Sequence, residues 1–400
     1  MNQDITNEHY RNDFIKENFH LIIPFLCIVF WGLLYLYVVG FILGREFDFG
    51  VYYEGGKQIQ KNPEDLYKVS GYAYLPARAF LYSITFSLFP LIIAASIHYV
   101  LVFIFGFLYI REFDKILILM DLKEKIHRFP LLLIISNGTY VLTQFEYNQE
   151  KFLIAFLLFF ILRRELLFRK EEMTKDLKYY LINYGLFVYI VAIAPYLLLI
   201  IVVYIFHDIK LNELFSKFNL KKYGICVGMF FIQNFLLILY PNLIIDFLLS
   251  ESTVQLEGDL YIMLIYIMFL SILPLILIIK KDLSIEARFG WFFFVWIFVG
   301  RWGASKVIVY PLSFLIFLPF LDIEDKTLKG FIFNNNLISI GLSAVIILFF
   351  IPREVILYYF VPALLEYHVQ IRVIKVYVLP AIYGVFLIVF ILQRKGIIWK

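Results

Sequence analysis

The run REFDFGVYYEGGKQIQKNPEDLYKVSGYAYLP, Arg45 to Pro76, is the longest polar interval between apolar segments before Arg111. It follows directly on a long hydrophobic segment, Leu21 to Gly44, and opens with two carboxylates, Glu46 and Asp48. A tyrosine pair, a glycine pair and an LY…YLP tail come after them. Polar sequence so ordered in composition, held between apolar blocks long enough to cross a bilayer, reads as a functional loop rather than a linker.

Working outward, hydrophobic residues make up 62% of the 400 positions and charged residues 17%, an imbalance that no soluble core requires. The apolar matter falls into about twelve segments. They are Leu21–Gly44, Pro90–Ile110, Pro130–Gln144, Phe152–Leu162, Tyr179–Ile193, Pro195–Phe206 and Tyr223–Tyr240, then Leu260–Ile279, Phe289–Gly300, Val307–Leu321, Leu337–Ile351 and Ile374–Leu392. The expected fold is an all-α, polytopic transmembrane helix bundle, with residues 1–400 as one integral membrane domain in the cell membrane. The polar N-terminus and the long first apolar segment, without a small-residue cleavage site, read as a retained signal anchor. A formal net charge of +4, scattered along the chain, excludes the concentrated basic face that a nucleic-acid partner needs. Cys27 and Cys226 sit in apolar segments and read as small buried hydrophobes, with no disulfide or metal framework.

Lys and Arg collect in cytoplasmic loops. Placing both termini inside leaves only a minority of the 36 Lys and Arg outside, among them Arg45, Lys57, Lys61, Arg78, Arg301 and Lys306. Residues 45–89 then form a first external loop. The same side carries a turn at Glu146–Lys151, an acidic loop at Pro241–Asp259, the tight RWGASK at 301–306, and Pro352–Val373. Basic flanks on both sides of Tyr179–Phe206 require an even number of crossings, in a stretch shorter than the roughly 40 residues of two straight spans. The pattern predicts two short helices meeting near Ala194 and Pro195. The alternative is one long helix kinked at Pro195, which would invert everything after it.

Within the first loop, Asp48 either caps a helix beginning at Phe49 or serves as a general base at the membrane surface. Glu46 stands two residues away and makes a weaker, metal-binding pair with it. On a helix from Phe49, Tyr52 and Gly56 share the face of Asp48, and Tyr53 and Lys57 form the adjoining one. Two helical glycines cost about 1 kcal/mol each against alanine, so Gly55 and Gly56 mark either a close approach or a loose turn. Ala77–Phe89 is apolar but too short to span, and is expected to lie along the interface before Pro90. Elsewhere on the outer side, Glu146, Asn148 and Gln149 offer hydrogen bonds to hydroxyls. Arg301 and Lys306 bracket a hairpin where they either meet an anion or snorkel toward headgroups. Arg78, Arg353 and Arg372 stand behind them as cations. None of the six histidines pairs at metal-ligand or catalytic spacing, and His368 is the one kept as a candidate.

The run FDFGVYYEGGKQI, with Leu66–Tyr67 and then Tyr74 and Pro76, resembles membrane glycosyltransferases of the GT-C superfamily, most closely glycosyltransferase family 87. NQEK at 148–151 looks like that family's Asn-Gln turn, and Tyr310, Pro311 and Ser313 with FLPFL at 317–321 resemble its late Pro-Ser segment. The resemblance is dense over about thirty residues near Asp48 and diffuse elsewhere. It implies an inverting transferase that moves a sugar, commonly mannose, from a polyprenyl monophosphate carrier to a glycan or glycolipid acceptor. It makes Asp48 the catalytic acidic residue. Tyr52, Tyr53, Lys57, Arg78, Asn148, Gln149, Arg301, Lys306 and Tyr310 are the expected substrate-binding positions. Membrane lipids are the other partners, and neither a cofactor nor an obligatory metal is expected. The chain departs from the family in having no histidine near Tyr310 and in the tightness of its glycine pair. A transporter or flippase of lipid-linked sugars is the rival reading. It would favour internal repeats and helices broken near the midplane, and the sequence shows no repeats.

Overall fold

The computed structural model describes residues 2–36, 49–136, 141, 145, 149–207, 209, 211–249, 275, 278 and 284–299. Every regular element among them is helical. In chain order they are α1 (Asn2–Tyr35), α2 (Phe49–Lys61), α3 (Pro76–Ile84), α4 (Leu91–Leu119), α5 (Lys125–Ser136), α6 (Lys151–Lys170) and α7 (Leu177–Ile193). Then come α8 (Leu198–Phe206), α9 (Lys217–Gln233), α10 (Leu236–Leu239), α11 (Asn242–Leu248) and α12 (Ile285–Val299). Two helical stretches, Glu17–Leu34 and Leu91–Leu119, are long and apolar enough to cross a membrane, and α7 is a shorter apolar helix.

The helices line up through buried polar contacts at two opposite ends. At one end His98 of α4 lies 3.6 Å from Glu150, which precedes α6, and the Tyr99 hydroxyl donates to the Gly32 carbonyl of α1 at 2.8 Å. At the other, Glu112 of α4 pairs with Arg163 of α6 at 2.5 Å, and Asp114 takes His20 of α1 at 3.6 Å and Arg128 of α5 at 2.6 Å. So α4 and α6 run parallel, with α1 and α5 antiparallel to both. The two ends are about 24 Å apart along α4 from His98 to Asp114. The interval between them is filled by residues such as Val102, Ile110, Phe113, and Tyr109, whose ring stacks on Phe159 at 5.5 Å.

Both parallel helices finish the same way. Asp121 and Glu172 take left-handed φ values of 65° and 53°. Behind them Leu122 N–H reaches Leu117 and Met173 N–H reaches Phe168, at 3.0 Å each. This Schellman arrangement satisfies carbonyls that the last turn would leave unpaired.

Hydropathy ends the second apolar segment at Ile110 and the fourth at Leu162, yet α4 continues to Leu119 and α6 to Lys170. Among the charges that halt the apolar pattern, Glu112 and Arg163 pair across the two helices and Asp114 and Glu165 pair with other neighbours, so they extend the packing instead of stopping it. The segment Tyr223–Tyr240 shows the opposite correction. Its helix begins earlier, at Lys217, and breaks at Asn234, whose side chain donates to the Phe230 carbonyl and accepts from Ala77 N–H of α3.

The break at Ala194 falls where expected, with a short 3-10 turn at Pro195–Leu197 between α7 and α8. α8 turns back. The Tyr204 hydroxyl near its end contacts Tyr179 at the start of α7, Asn183 and Glu165, and His207 reaches Glu165 at 3.5 Å. Entry and exit of the pair therefore lie at the same end of the bundle, which a single kinked helix would not allow.

Candidate functional site

At the end opposite Glu165, residues 49–90 fold into a small layer across the helix tips. α2 begins at Phe49 and buries Phe49, Tyr52, Tyr53, Gly56 and Ile59, an amphipathic three-four spacing. It stops at Lys61 because Asn62 precedes Pro63, a position that disfavours helix. Asn62 then caps the 3-10 turn Pro63–Lys68 by accepting from Glu64 N–H at 3.3 Å. Pro76 opens α3 at a position where its missing N–H costs nothing. α2 and α3 pack so closely that Gly56 faces the backbone of Tyr82 and Ser83, and Gly55 faces the Tyr72 ring. The glycine pair is thus a close approach inside a continuous helix, not a loose turn.

Arg78 of α3 is the centre of this layer. Its guanidinium carbon sits 3.4 Å from the centroid of the Tyr52 ring and 4.2 Å from that of Tyr74, whose hydroxyls meet at 3.3 Å. Its Nη2 lies 2.9 Å from the Glu150 carboxylate. That contact is out of line for a hydrogen bond, and Arg78 Nε has no hydrogen-bond partner. The other Glu150 oxygen accepts the Tyr82 hydroxyl at 2.6 Å and lies 3.6 Å from His98 Nε2, itself 3.1 Å from the Tyr82 oxygen. All four of these side chains are buried. Burial works to raise the Glu150 carboxyl, but Arg78 and the hydrogen-bonding groups outweigh it and hold it down at about 2. Burial and the adjacent carboxylate together push the Tyr82 hydroxyl well above its ordinary range. Glu150 is therefore a fixed anion at neutral pH and a poor proton acceptor, while Tyr82 is held as a neutral donor.

Beside this cluster lies an apolar cavity of about 850 Å³, within the usual size of a ligand pocket. Its walls come from Leu36, the first two turns of α2 (Phe49, Gly50, Val51 and Glu54), Val69 and Ser70, and the first three turns of α4 from Leu91 to Val100. Phe49 divides the two features. It lines the cavity and also packs on His98 and Tyr82, at ring separations of 4.8 and 5.8 Å.

Of the residues singled out in the sequence, Tyr52, Tyr53, Lys57, Arg78 and Gln149 are brought to this end. The Tyr53 hydroxyl donates to the Phe89 carbonyl at 2.9 Å, Lys57 Nζ stands 5.6 Å from the Tyr53 ring centroid, and Gln149 is buried next to Glu150. Asp48, Glu46, Asn148, Arg301, Lys306, Tyr310, Arg353, Arg372 and His368 lie outside the described residues. Sequence reading passed over Glu150, Tyr82 and His98. The Tyr82–Glu150 bond joins residues 68 apart, so spacing carries no trace of it. The one local signal is a glutamate in a short polar turn between two apolar segments. Three histidines, His20, His98 and His207, prove to be packed against carboxylates, which a search for paired histidines cannot find.

Comparison of the chain with family models, with curated proteins and with solved structures gives no match.

Proposed function

We propose that the protein is a polytopic membrane glycosyltransferase that moves a sugar, mannose in the family it resembles, from a polyprenyl monophosphate to a glycan or glycolipid acceptor at the outer face. The observation that carries the reading is the apolar cavity built on the first turn of α2, the turn that Asp48 immediately precedes in the chain. A lipid-borne donor needs an apolar wall next to its reacting centre, and an apolar cavity at the start of α2 supports that requirement. The rest of α4 supports a membrane setting. Ile92, Val100 and Ile104 are exposed on α4, and only 28% of its most apolar 18-residue window is buried. Such a surface is stable against lipid and costly against water.

In this reading Asp48 takes the acceptor hydroxyl's proton as that oxygen attacks the anomeric carbon, and the carrier phosphate leaves with the electron pair of the broken bond. No acid is required for a leaving group that departs as a stabilised anion. Fixed cations favour the charge that develops on it, and Arg301 and Lys306 are the candidates. Arg78 already has a carboxylate partner in Glu150.

The test is transfer from labelled polyprenyl-phosphate mannose by the purified protein, with Asp48→Asn and Glu46→Gln beside the parent. General-base removal of the hydroxyl proton is worth about 10² to 10⁴ in rate, so Asp48→Asn should lose at least about 100-fold in turnover while still binding donor. Asn caps a helix nearly as well as Asp, which keeps the fold out of the comparison. Full activity in both variants would end the base assignment. Movement of the lipid-linked sugar across vesicles without transfer would move the protein to the transporters.

A further inference from the structure

We infer that the starts of α7 and α9 form a membrane-surface anchor, which sets Phe215 among lipid chains and gathers anionic phospholipid headgroups on Lys178, Lys217 and Lys221. The inference rests on the membrane setting proposed above and not on the transfer reaction. It concerns the end of the bundle opposite the cavity.

At this end α7 begins at Leu177 and α9 at Lys217. Their first two turns are neighbours. The Tyr180 and Phe218 rings lie 5.9 Å apart, and the Lys222 ammonium stands 5.0 Å from the Tyr180 ring centroid and 4.9 Å from that of Phe218. Around this contact large apolar side chains face outward. Phe215, the residue before the Ser216 cap of α9, is 84% exposed, the highest value of any large hydrophobic among the described residues. Leu177, Phe218 and Leu220 are exposed beside it. A single exposed ring is ordinary, but a group of four such side chains at the start of two packed helices is costly against water and stable against lipid.

The charges among them favour an anion. Lys178, Lys217 and Lys221 are exposed, and none has an ion-pair partner among the described residues. The nearby carboxylates are mostly committed elsewhere. Asp176 caps α7 by accepting from Tyr179 N–H at 2.8 Å, and Lys175 is already held by Glu165. Glu213 remains in the loop before α9, while Glu171 and Glu172 belong to the end of α6. Lys178 and Lys217 also stand in first turns, where the positive end of the helix dipole disfavours a cation. A phosphate placed there is attracted by the dipole and by the ammonium groups together.

An anionic phospholipid supplies both halves of this chemistry. Its phosphate meets the lysines, whose stems lie along the apolar surface, and its chains cover Phe215 and Leu177. Free phosphate would leave the phenyl ring in water, and a zwitterionic lipid brings no net charge to the lysines. The cytoplasmic leaflet is the anionic one, and the charge bias of the loops turns this end toward it.

The test places a fluorophore on a cysteine at position 215 in the full chain lacking Cys27 and Cys226, reconstituted in phosphatidylcholine vesicles. Lipids bearing a spin-label quencher near the headgroup are added as phosphatidylcholine or as phosphatidylglycerol, with iodide as the aqueous quencher. Both lipids should quench the label, the anionic one at a mole fraction about 5-fold lower, since one lysine near an anionic surface strengthens association by about that factor. Iodide should quench a label at position 171 and spare the one at 215. Replacing Lys178, Lys217 and Lys221 together by Gln should bring the two lipids to the same mole fraction, as should high salt. The triple Arg variant should keep the difference. Quenching at 215 by iodide and not by lipid overturns the anchor. Quenching by neither overturns it too, and means that another part of the chain or a second copy covers the ring. Equal quenching by the two lipids in the parent overturns the selection of anionic lipid. Absence of transfer by the parent would defeat the proposed reaction alone, with the quenching still deciding the anchor.

Discussion

Glu150 is a buried carboxylate whose worth depends on its partners. Burial disfavours its charge, and Arg78, His98 and Tyr82 more than compensate, so its folded value of about 2 lies below that of a free carboxylate. A depressed carboxylate contributes stability that is fully present above its unfolded pKa and is lost as pH falls through the folded value. The window is therefore the acid range from about 4.5 down to about 2. Glu150→Gln keeps the size but leaves Arg78 buried and unpaired, a loss of about 3 to 5 kcal/mol for a broken buried pair. Thermal unfolding in detergent should show the variant well below the parent at pH 5 to 8, with the gap closing toward pH 2. A gap that stays constant through the acid range would show that the carboxylate is not the ionised partner of Arg78.

α2 owes its position to the absence of a side chain. A methyl group on Gly56 would lie 2.9 Å from Ser83 N and Tyr82 C, both backbone atoms, and would also meet Ser87 Oγ. Gly50, in the first turn of the same helix, has nothing within 4 Å of such a methyl. Alanine favours helix by about 1 kcal/mol over glycine. At Gly56 overpacking of about 1 to 3 kcal/mol outweighs that gain, because α3 is fixed by Arg78 and has no room to retreat. Gly56→Ala should lower the unfolding midpoint, and Gly50→Ala should leave it unchanged or slightly raised. Equal midpoints for the two variants would mean that α2 and α3 do not depend on their close approach. The Tyr72 ring against Gly55 adds a second contact of the same kind.

The whole bundle sorts its connections into two sets. Residues 49–90, Glu150 and Asn234 gather at one end, and Asp114, Glu165, His207 and Glu286, which pairs with Arg169 at 2.9 Å, gather at the other. With the charge bias of the loops, the first set faces outward in the proposed membrane arrangement. Single cysteines at Lys61 and Asp246 should then react with an impermeant thiol reagent on intact cells, and cysteines at Glu172 and Glu213 should react only after the membrane is opened. Reaction of only one of the Glu172 and Glu213 positions from outside would break the pairing of α7 with α8. Reaction of the Glu172 and Glu213 positions alone would keep the bundle and reverse its orientation.

Much of this was legible before any coordinates. Apolar blocks, the helix from Phe49, the short helix after Pro76 and the break at Ala194 all follow from hydropathy, periodicity and proline, which act between residues a turn or two apart. The helix lengths beyond Arg111 and Leu162 did not, because a run of charges looks like an exit from the apolar layer until its partners on another helix are known. The same holds for the Arg78 cluster. Arg78 was visible as a cation between the first two apolar segments, and NQEK as a polar turn, but nothing in either stretch says that Glu150 meets Arg78 or that His98 joins them. Buried charge is stable only when paired and the pairs here cross between helices, so their identity is a property of which helices are neighbours. One sequence read alone contains the helices but not their neighbours.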